Sequence, residues 1–239
     1  MMQTGATSAA PRSSHRFKKP ILVPNTMYCG IDEAGRGPVI GPLVMCGLKT
    51  HDKDVLENLG VKDSKLLTDA IRRELAPKLK QQCEWYCVTV SPEEIDAAVL
   101  GESNLNWLEA EKVAEILNKL QPKQAVVDCP SPNIEAWGDY VKARVQDKTT
   151  HILFEHKADL NHPEVSGASI IAKVTRDDAI AKLKEKVGID FGNGYPSDPK
   201  TKIFLEKYWD KHPSLFRKSW APYKKMVAAS KQQNLDTFK

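Results

Sequence analysis

Short apolar runs alternate with amphipathic stretches along most of this chain. Runs rich in β-branched and aromatic residues predict five strands, at residues 28–31, 41–48, 84–90, 125–128 and 151–154. Apolar positions spaced three and four apart predict helices over residues 68–80, 104–120, 165–186, 197–211 and 219–231. Ser91, Pro92 and Glu94 have the spacing of a capping box, which predicts a further helix start.

The order of these elements predicts an α/β fold. We expect the first three strands to pair antiparallel and the last two to join the sheet through helical crossovers. Residues 26–230 show no internal repeat or break in composition, which indicates one domain. The sequence therefore predicts a mixed five-stranded sheet flanked by helices, with a helical C-terminal extension. Residues 1–25 have few apolar positions and are expected to be a disordered tail, and residues 231–239 a flexible one.

Composition narrows the class of protein only slightly. The chain has 239 residues, of which 41% are hydrophobic and 28% charged, the balance of a soluble globular protein. A net charge of +4 permits a nucleic-acid partner without requiring one. No apolar run approaches the roughly 18 residues of a membrane helix, and the N-terminus has no apolar signal region. We therefore expect no membrane partner and no secretion.

The five cysteines are odd in number and do not have the spacing of a zinc site. Cys29, Cys46, Cys87 and Cys129 all lie in apolar, strand-like stretches. We expect them to be small buried hydrophobic residues in a reducing compartment, the cytoplasm.

Acidic residues end three separate apolar runs. Asp32 and Glu33 follow the first, Asp128 ends the fourth, and Asp159 comes shortly after the fifth. Carboxylates are costly to bury, and side chains at strand ends are brought together by an α/β sheet, so these four predict a site for two hard divalent cations, magnesium or manganese. The alternative for Asp128 and Asp159 is a helix N-cap.

The first pair of acids is followed by Gly35, Arg36 and Gly37. This stretch predicts a tight turn with accessible backbone N–H groups beside a cation, an arrangement that suits phosphate chemistry. A dinucleotide-binding turn is disfavoured because the glycine spacing is wrong and the acids would repel a pyrophosphate.

Beyond these residues, six motifs in order resemble ribonuclease HII, with archaeal members the most similar, over about residues 27–223. The motifs are GIDEAGRGPVIGPLV at 30–44, VKDSKLLT at 61–68, VVDCPS at 126–131, HKADLNHPEVSGASIIAKVTRD at 156–177, GNGYPSDPKT at 192–201 and RKSW at 217–220. The resemblance implies a ribonuclease H-like fold. It also implies an endoribonuclease that cuts the RNA strand of RNA–DNA hybrids and cuts on the 5′ side of ribonucleotides embedded in duplex DNA, leaving 3′-hydroxyl and 5′-phosphate ends during ribonucleotide and primer removal.

The resemblance also assigns residues. Asp32, Glu33, Asp128 and Asp159 match the carboxylates that hold two metal ions. The backbone of Gly35, Arg36 and Gly37 matches the loop that reads the ribose 2′-hydroxyl. Tyr195 matches the tyrosine that stacks on the next sugar, and Lys65, Lys173 and Arg176 match residues that contact phosphates or support the site. A monomer is expected by the same analogy.

Alternatives remain for some of these assignments. Without the resemblance, Tyr195 would be an ordinary turn aromatic and Arg176 part of a solvated helix face. For the whole chain, the alternative is a non-catalytic or obligately assembled nucleic-acid-binding subunit, which would have no reason to keep four acids.

The C-terminus resembles a sliding-clamp interaction peptide. Gln232, Leu235 and Phe238 have its spacing, but Lys239 stands where a second aromatic residue is usual. The alternative is a frayed polar tail.

Overall fold

The computed structural model describes residues 27–61 and 67–236, with side chains as far as residue 232. Its described part contains one five-stranded sheet in the order β3-β2-β1-β4-β5. The strands are β1 (Tyr28–Ala34), β2 (Leu43–Thr50), β3 (Glu84–Val90), β4 (Gln124–Asp128) and β5 (His151–Glu155). β1 to β3 pair antiparallel, whereas β4 pairs parallel to both β1 and β5. The predicted mixed sheet is therefore confirmed.

Helices cover both faces of this sheet. Within the described residues they are α1 (Lys53–Asn58), α2 (Asp69–Gln82), α3 (Pro92–Leu100), α4 (Leu105–Leu120), α5 (Ile134–Arg144), α6 (Pro163–Val187), α7 (Pro199–Tyr208) and α8 (Ala221–Asp236). Sequence analysis missed α1 and α5. The glycine that weakens the helical pattern of α5, Gly138, packs against the ring of Phe154, where a Cβ atom would lie 2.7 Å from the ring.

Local capping chemistry sets several helix starts as predicted. The Thr68 side chain accepts a hydrogen bond from the N–H of Ile71 at the start of α2. Ser91 and Glu94 form both bonds of a capping box at α3. These caps satisfy backbone donors that a helix start otherwise leaves without partners.

The central strand β1 has a different helix on each face. Cys29 and Ile31 belong to a buried cluster with residues of α4, and Ala34 belongs to one with residues of α6. A Cβ atom on Gly30 would overlap the backbone of Glu164 and Val165. The glycine therefore lets the start of α6 lie directly on the strand that carries the two adjacent acids.

A third cluster attaches the C-terminal helices to the loop that follows β1. Val39 and Ile40 are fully buried against aromatic residues of this extension, among them Phe204 and Phe216. Ile40 also forms an isolated β-bridge with Phe216. This packing places the RKSW segment, residues 217–220, behind the glycine-rich turn.

Two cysteines differ from the prediction. Cys46 and Cys87 are directly opposed on β2 and β3, with Cα atoms 4.1 Å apart, and form a disulfide, so they are not the free thiols expected. Cys29 and Cys129 are buried free thiols, as predicted. The register of an antiparallel pair, which spacing along the chain does not reveal, brings the first two together.

The C-terminal helix reaches further than the sequence pattern indicates. α8 continues to Asp236, so the backbone of residues 231–236 is helical where a flexible tail was predicted. The expected N-terminal tail, residues 1–25, lies outside the described residues. None of the described helices has both the length and the apolar character needed to cross a bilayer.

Candidate active site

Three of the predicted acids converge at one end of the sheet. Ligand oxygens of Asp32, Glu33 and Asp128 all lie within 4.8 Å of one another. The reason is strand register, since β1 and β4 run parallel with Ile31 opposite Val127, and the next residue along each strand is one of the acids. Three oxygen donors in this arrangement can hold a hard metal ion.

The electrostatics of this group favour a cation. Burial, together with the nearby charge of Asp128, raises the pKa of Asp32 to about 6 from its usual 3.8. The pKa of Glu33 lies well above its usual range because of burial and then the charge of Asp32. The folded chain thus concentrates more negative charge than its own groups offset, a condition that a bound cation relieves.

The turn after these acids is fixed mainly through its carbonyl groups. Gly35 has φ +88°, the left-handed region that glycine adopts without strain. A Cβ atom there would overlap the side chain of Arg176. The carbonyl oxygens of Gly35 and Arg36 accept hydrogen bonds from the buried guanidinium of Arg217. The loop is thereby held from one side, and its other side lines the cleft beside the acids.

That cleft has a volume of about 470 Å³. It brings together residues that are distant in sequence but were all predicted to bind substrate, namely Gly35, Arg36, Gly37, Lys173 and Tyr195, and Glu33 lines it as well. Tyr195 is 37% exposed, and the guanidinium of Arg176 lies 5.3 Å from its ring centroid. An exposed aromatic face beside several cations is suited to a nucleotide chain.

Similarity to known proteins agrees with this geometry. The family model for ribonuclease HII matches residues 29–223. Ribonuclease HII of Pyrococcus furiosus is 45% identical over 221 residues, which cover 87% of this chain and 96% of the relative. The chain belongs to the ribonuclease HII family.

Two solved structures of similar proteins have the same architecture. The crystal structure of ribonuclease H2 from Pyrococcus horikoshii OT3 is 41% identical, with a TM-score of 0.77 over 85% of this chain and 98% of that one. Ribonuclease HII from Archaeoglobus fulgidus, solved in complex with PCNA, is 42% identical, with a TM-score of 0.75 over 81% of this chain and 95% of that one. The predicted ribonuclease H-like fold is confirmed.

The fourth acid expected of a ribonuclease HII is placed differently from the other three. Asp159 is buried in a 3₁₀ turn at Ala158–Leu160 that follows β5. It is not in the group whose oxygens lie within 4.8 Å, and it lines a smaller pocket with His162. The preceding residue, Ala158, donates its N–H to Asp128 at 3.1 Å. This hydrogen bond connects the turn that carries Asp159 to the cluster of Asp32, Glu33 and Asp128. The metal-binding role of Asp159 stays a prediction.

The other residues assigned by the resemblance are either buried or lie outside the residues that the structure describes. Arg176 is only 4% exposed, so it is not part of a solvated helix face. Lys65, in the DSK motif, and Phe238 lie outside the described residues.

Sequence reasoning missed one residue that contacts the glycine-rich turn of this ribonuclease HII family member. Glu109 of α4 is fully buried and accepts hydrogen bonds from Nε of Arg36 at 2.9 and 3.2 Å. Asn106 accepts another from Nη2 of Arg36 at 2.7 Å. Burial raises the pKa of Glu109 to about 7, and the charge of Arg36 opposes that rise. The available signal was a glutamate on the apolar face of an amphipathic helix, one turn after Leu105.

Proposed function

We propose that this ribonuclease HII family member hydrolyses the phosphodiester on the 5′ side of a ribonucleotide in duplex DNA, and the RNA strand of RNA–DNA hybrids. Three converging carboxylates, Asp32 buried and Glu33 and Asp128 half-buried, beside a glycine-lined, cation-rich cleft carry the proposal. The products would be 3′-hydroxyl and 5′-phosphate ends. The cellular role would be the removal of embedded ribonucleotides and of RNA primers.

The carboxylates fit a divalent metal. Asp32, Glu33 and Asp128 supply oxygen donors only, and the raised pKa values of Asp32 and Glu33 reflect burial and negative charge that a cation would offset. When bound by these residues together with Asp159, two magnesium or manganese ions would lower the pKa of water and stabilise negative charge on the phosphate.

The protein itself would recognise the sugar and the phosphates. Gly35 and Gly37 present backbone without a Cβ atom, which allows close approach to a ribose and sensing of one hydroxyl group. Tyr195 would stack on the neighbouring sugar across the same cleft. Lys173, whose charge lowers the pKa of Asp32 and which lines the cleft, would contact a phosphate. Binding should therefore weaken as salt concentration rises.

The test is cleavage of a duplex that carries one ribonucleotide by the purified chain with magnesium, against an all-DNA duplex of the same sequence. We expect Asp32→Asn to keep the fold and much of the binding but to lose cleavage, because one of the three oxygen ligands loses its charge. Asp139→Asn is the matched control, since Asp139 is exposed on α5. Near-normal cleavage by Asp32→Asn would rule out the proposed metal site.

We also propose that the C-terminal segment binds a sliding clamp through Gln232, Leu235 and Phe238. The supporting observation is that the similar ribonuclease HII of Archaeoglobus fulgidus was solved in complex with PCNA. Deletion of residues 232–239 should abolish capture by an immobilised clamp and leave cleavage unchanged. Equal capture of the full and the truncated chain would refute this assignment.

A further inference from the structure

One fully buried arginine holds the glycine-rich turn from behind. Arg217 is 0% exposed. Its guanidinium donates hydrogen bonds to three backbone carbonyls of one loop, Gly35 at 2.6 Å, Arg36 at 2.8 Å and Gly41 at 3.1 Å. The planar fork of a guanidinium can serve several fixed acceptors at once, which an ammonium cannot do with the same geometry.

Neighbouring residues complete this contact. The indole N–H of Trp220 donates to the carbonyl of Gly37 at 3.2 Å. The buried carboxylate of Asp96 on α3 accepts the backbone N–H groups of Lys218 and Ser219, both at 2.8 Å. The RKSW segment is therefore anchored to α3, and all three carbonyls of residues 35–37 are bound by it.

This arrangement sets the direction of the loop N–H groups. Every described peptide bond is trans, so the N–H of a peptide unit points opposite to its C=O. Because the carbonyls of Gly35 and Arg36 point to Arg217, the N–H groups of Arg36 and Gly37 point away from it. Gly35, Arg36 and Gly37 line the 470 Å³ cleft and Arg217 does not, so these two donors lie on the cleft side.

Burying the charged guanidinium of Arg217 behind the loop costs free energy. Burial, with the added charge of nearby Arg176, lowers the pKa of Arg217 to about 10. A buried guanidinium is tolerated when its donors are satisfied, and here much of that satisfaction comes from the loop itself.

We propose that Arg217 is a positioning residue for ribose recognition, which fixes the carbonyls of Gly35 and Arg36 so that the N–H groups of Arg36 and Gly37 face the sugar. This inference rests on the proposed function. It makes Arg217 a determinant of ribose specificity although Arg217 does not line the cleft.

The test measures how much more tightly the protein binds a duplex with one ribonucleotide than an all-DNA duplex, and it does not measure cleavage. In the full chain carrying Asp32→Asn, fluorescence anisotropy gives the Kd for a duplex with one ribonucleotide and for the all-DNA duplex of the same sequence. Arg217→Lys, added to this background, keeps the positive charge but removes the planar guanidinium. We expect the preference for the ribonucleotide duplex, given by the ratio of the two Kd values, to fall roughly tenfold, with little change in the Kd for the all-DNA duplex. Adding Lys218→Gln, which removes one charge at an exposed side chain, should leave the ratio unchanged.

A second variant covers the case in which Arg217→Lys does not fold. Trp220→Phe keeps an aromatic ring and removes the donor to Gly37, so a fall of roughly threefold in the Kd ratio is expected. Variants that fold normally and retain the full ratio would overturn the proposal, since a purely structural role lowers the unfolding temperature without changing discrimination. An Asp32→Asn background that does not discriminate at all would instead refute ribose reading by the loop, and with it the proposed function.

Discussion

The cluster of Asp32, Glu33 and Asp128 leads to a prediction about protein stability that can be tested without measuring cleavage. In the metal-free protein, Asp32→Asn should be more stable than the wild type above about pH 6, because it removes a buried charge that two neighbouring acids repel. A pKa of about 6 against the usual 3.8 corresponds to roughly 3 kcal/mol against the ionised form in the folded state. Asparagine keeps the oxygen that accepts the Glu33 N–H, so we expect a gain of roughly 1–3 kcal/mol.

The sign of the pH dependence follows from the raised pKa. Above about 6 the folded state carries the full cost of the ionised Asp32, and below about 4 this carboxyl is protonated in both the folded and the unfolded chain. The advantage of Asp32→Asn should therefore shrink as the pH falls from about 7 to about 4. At about 2–4 °C per kcal/mol for a domain of this size, the expected rise in unfolding temperature at neutral pH is roughly 2–12 °C.

The assay is thermal unfolding in a chelator across this pH range, followed by titration with magnesium. Magnesium should raise the unfolding temperature of the wild type more than that of Asp32→Asn, because ligand binding stabilises the folded state only where the site is intact. The exposed Asp139→Asn should behave as the wild type throughout. An Asp32→Asn variant that is less stable than the wild type in chelator at neutral pH would refute the electrostatic reasoning.

Three further changes test the framework around the site. Gly30→Ala would drive a Cβ atom into the backbone of Val165, so urea unfolding should show a loss of about 3 kcal/mol or more, and a loss under about 1 would contradict the close packing. Ser91→Ala removes a capping-box bond and should lower the free energy of unfolding in urea by about 1 kcal/mol. An unchanged free energy of unfolding would show that the cap is redundant. Glu109→Gln weakens the ion pair between the buried Glu109 and the partly exposed Arg36, so kcat/KM for cleavage should fall roughly tenfold with folding retained. Unchanged cleavage would show that this pair does not position the loop.

Much of the framework could be read from local patterns. The strand at Glu84–Val90 has the predicted bounds, and the caps at Thr68 and Ser91 act as their residue types indicate. β1 is the instructive exception, because it was expected to end at Ile31. Asp32 and Glu33 continue the ladder opposite Cys46 and Met45, so the acids lie within a strand whose pairing partners override their low strand propensity.

The fold class and the family could be predicted from the amino-acid sequence, because periodicity, caps and motif order are properties of neighbouring residues. The folded chain adds which acids meet, that Glu109 binds Arg36, and that Arg217 binds carbonyls of the glycine loop. Those facts depend on the parallel register of β1 with β4 and on how the C-terminal extension packs against residues 39 and 40. Contacts between residues more than seventy positions apart leave no periodic trace in the chain, so only folding reveals them.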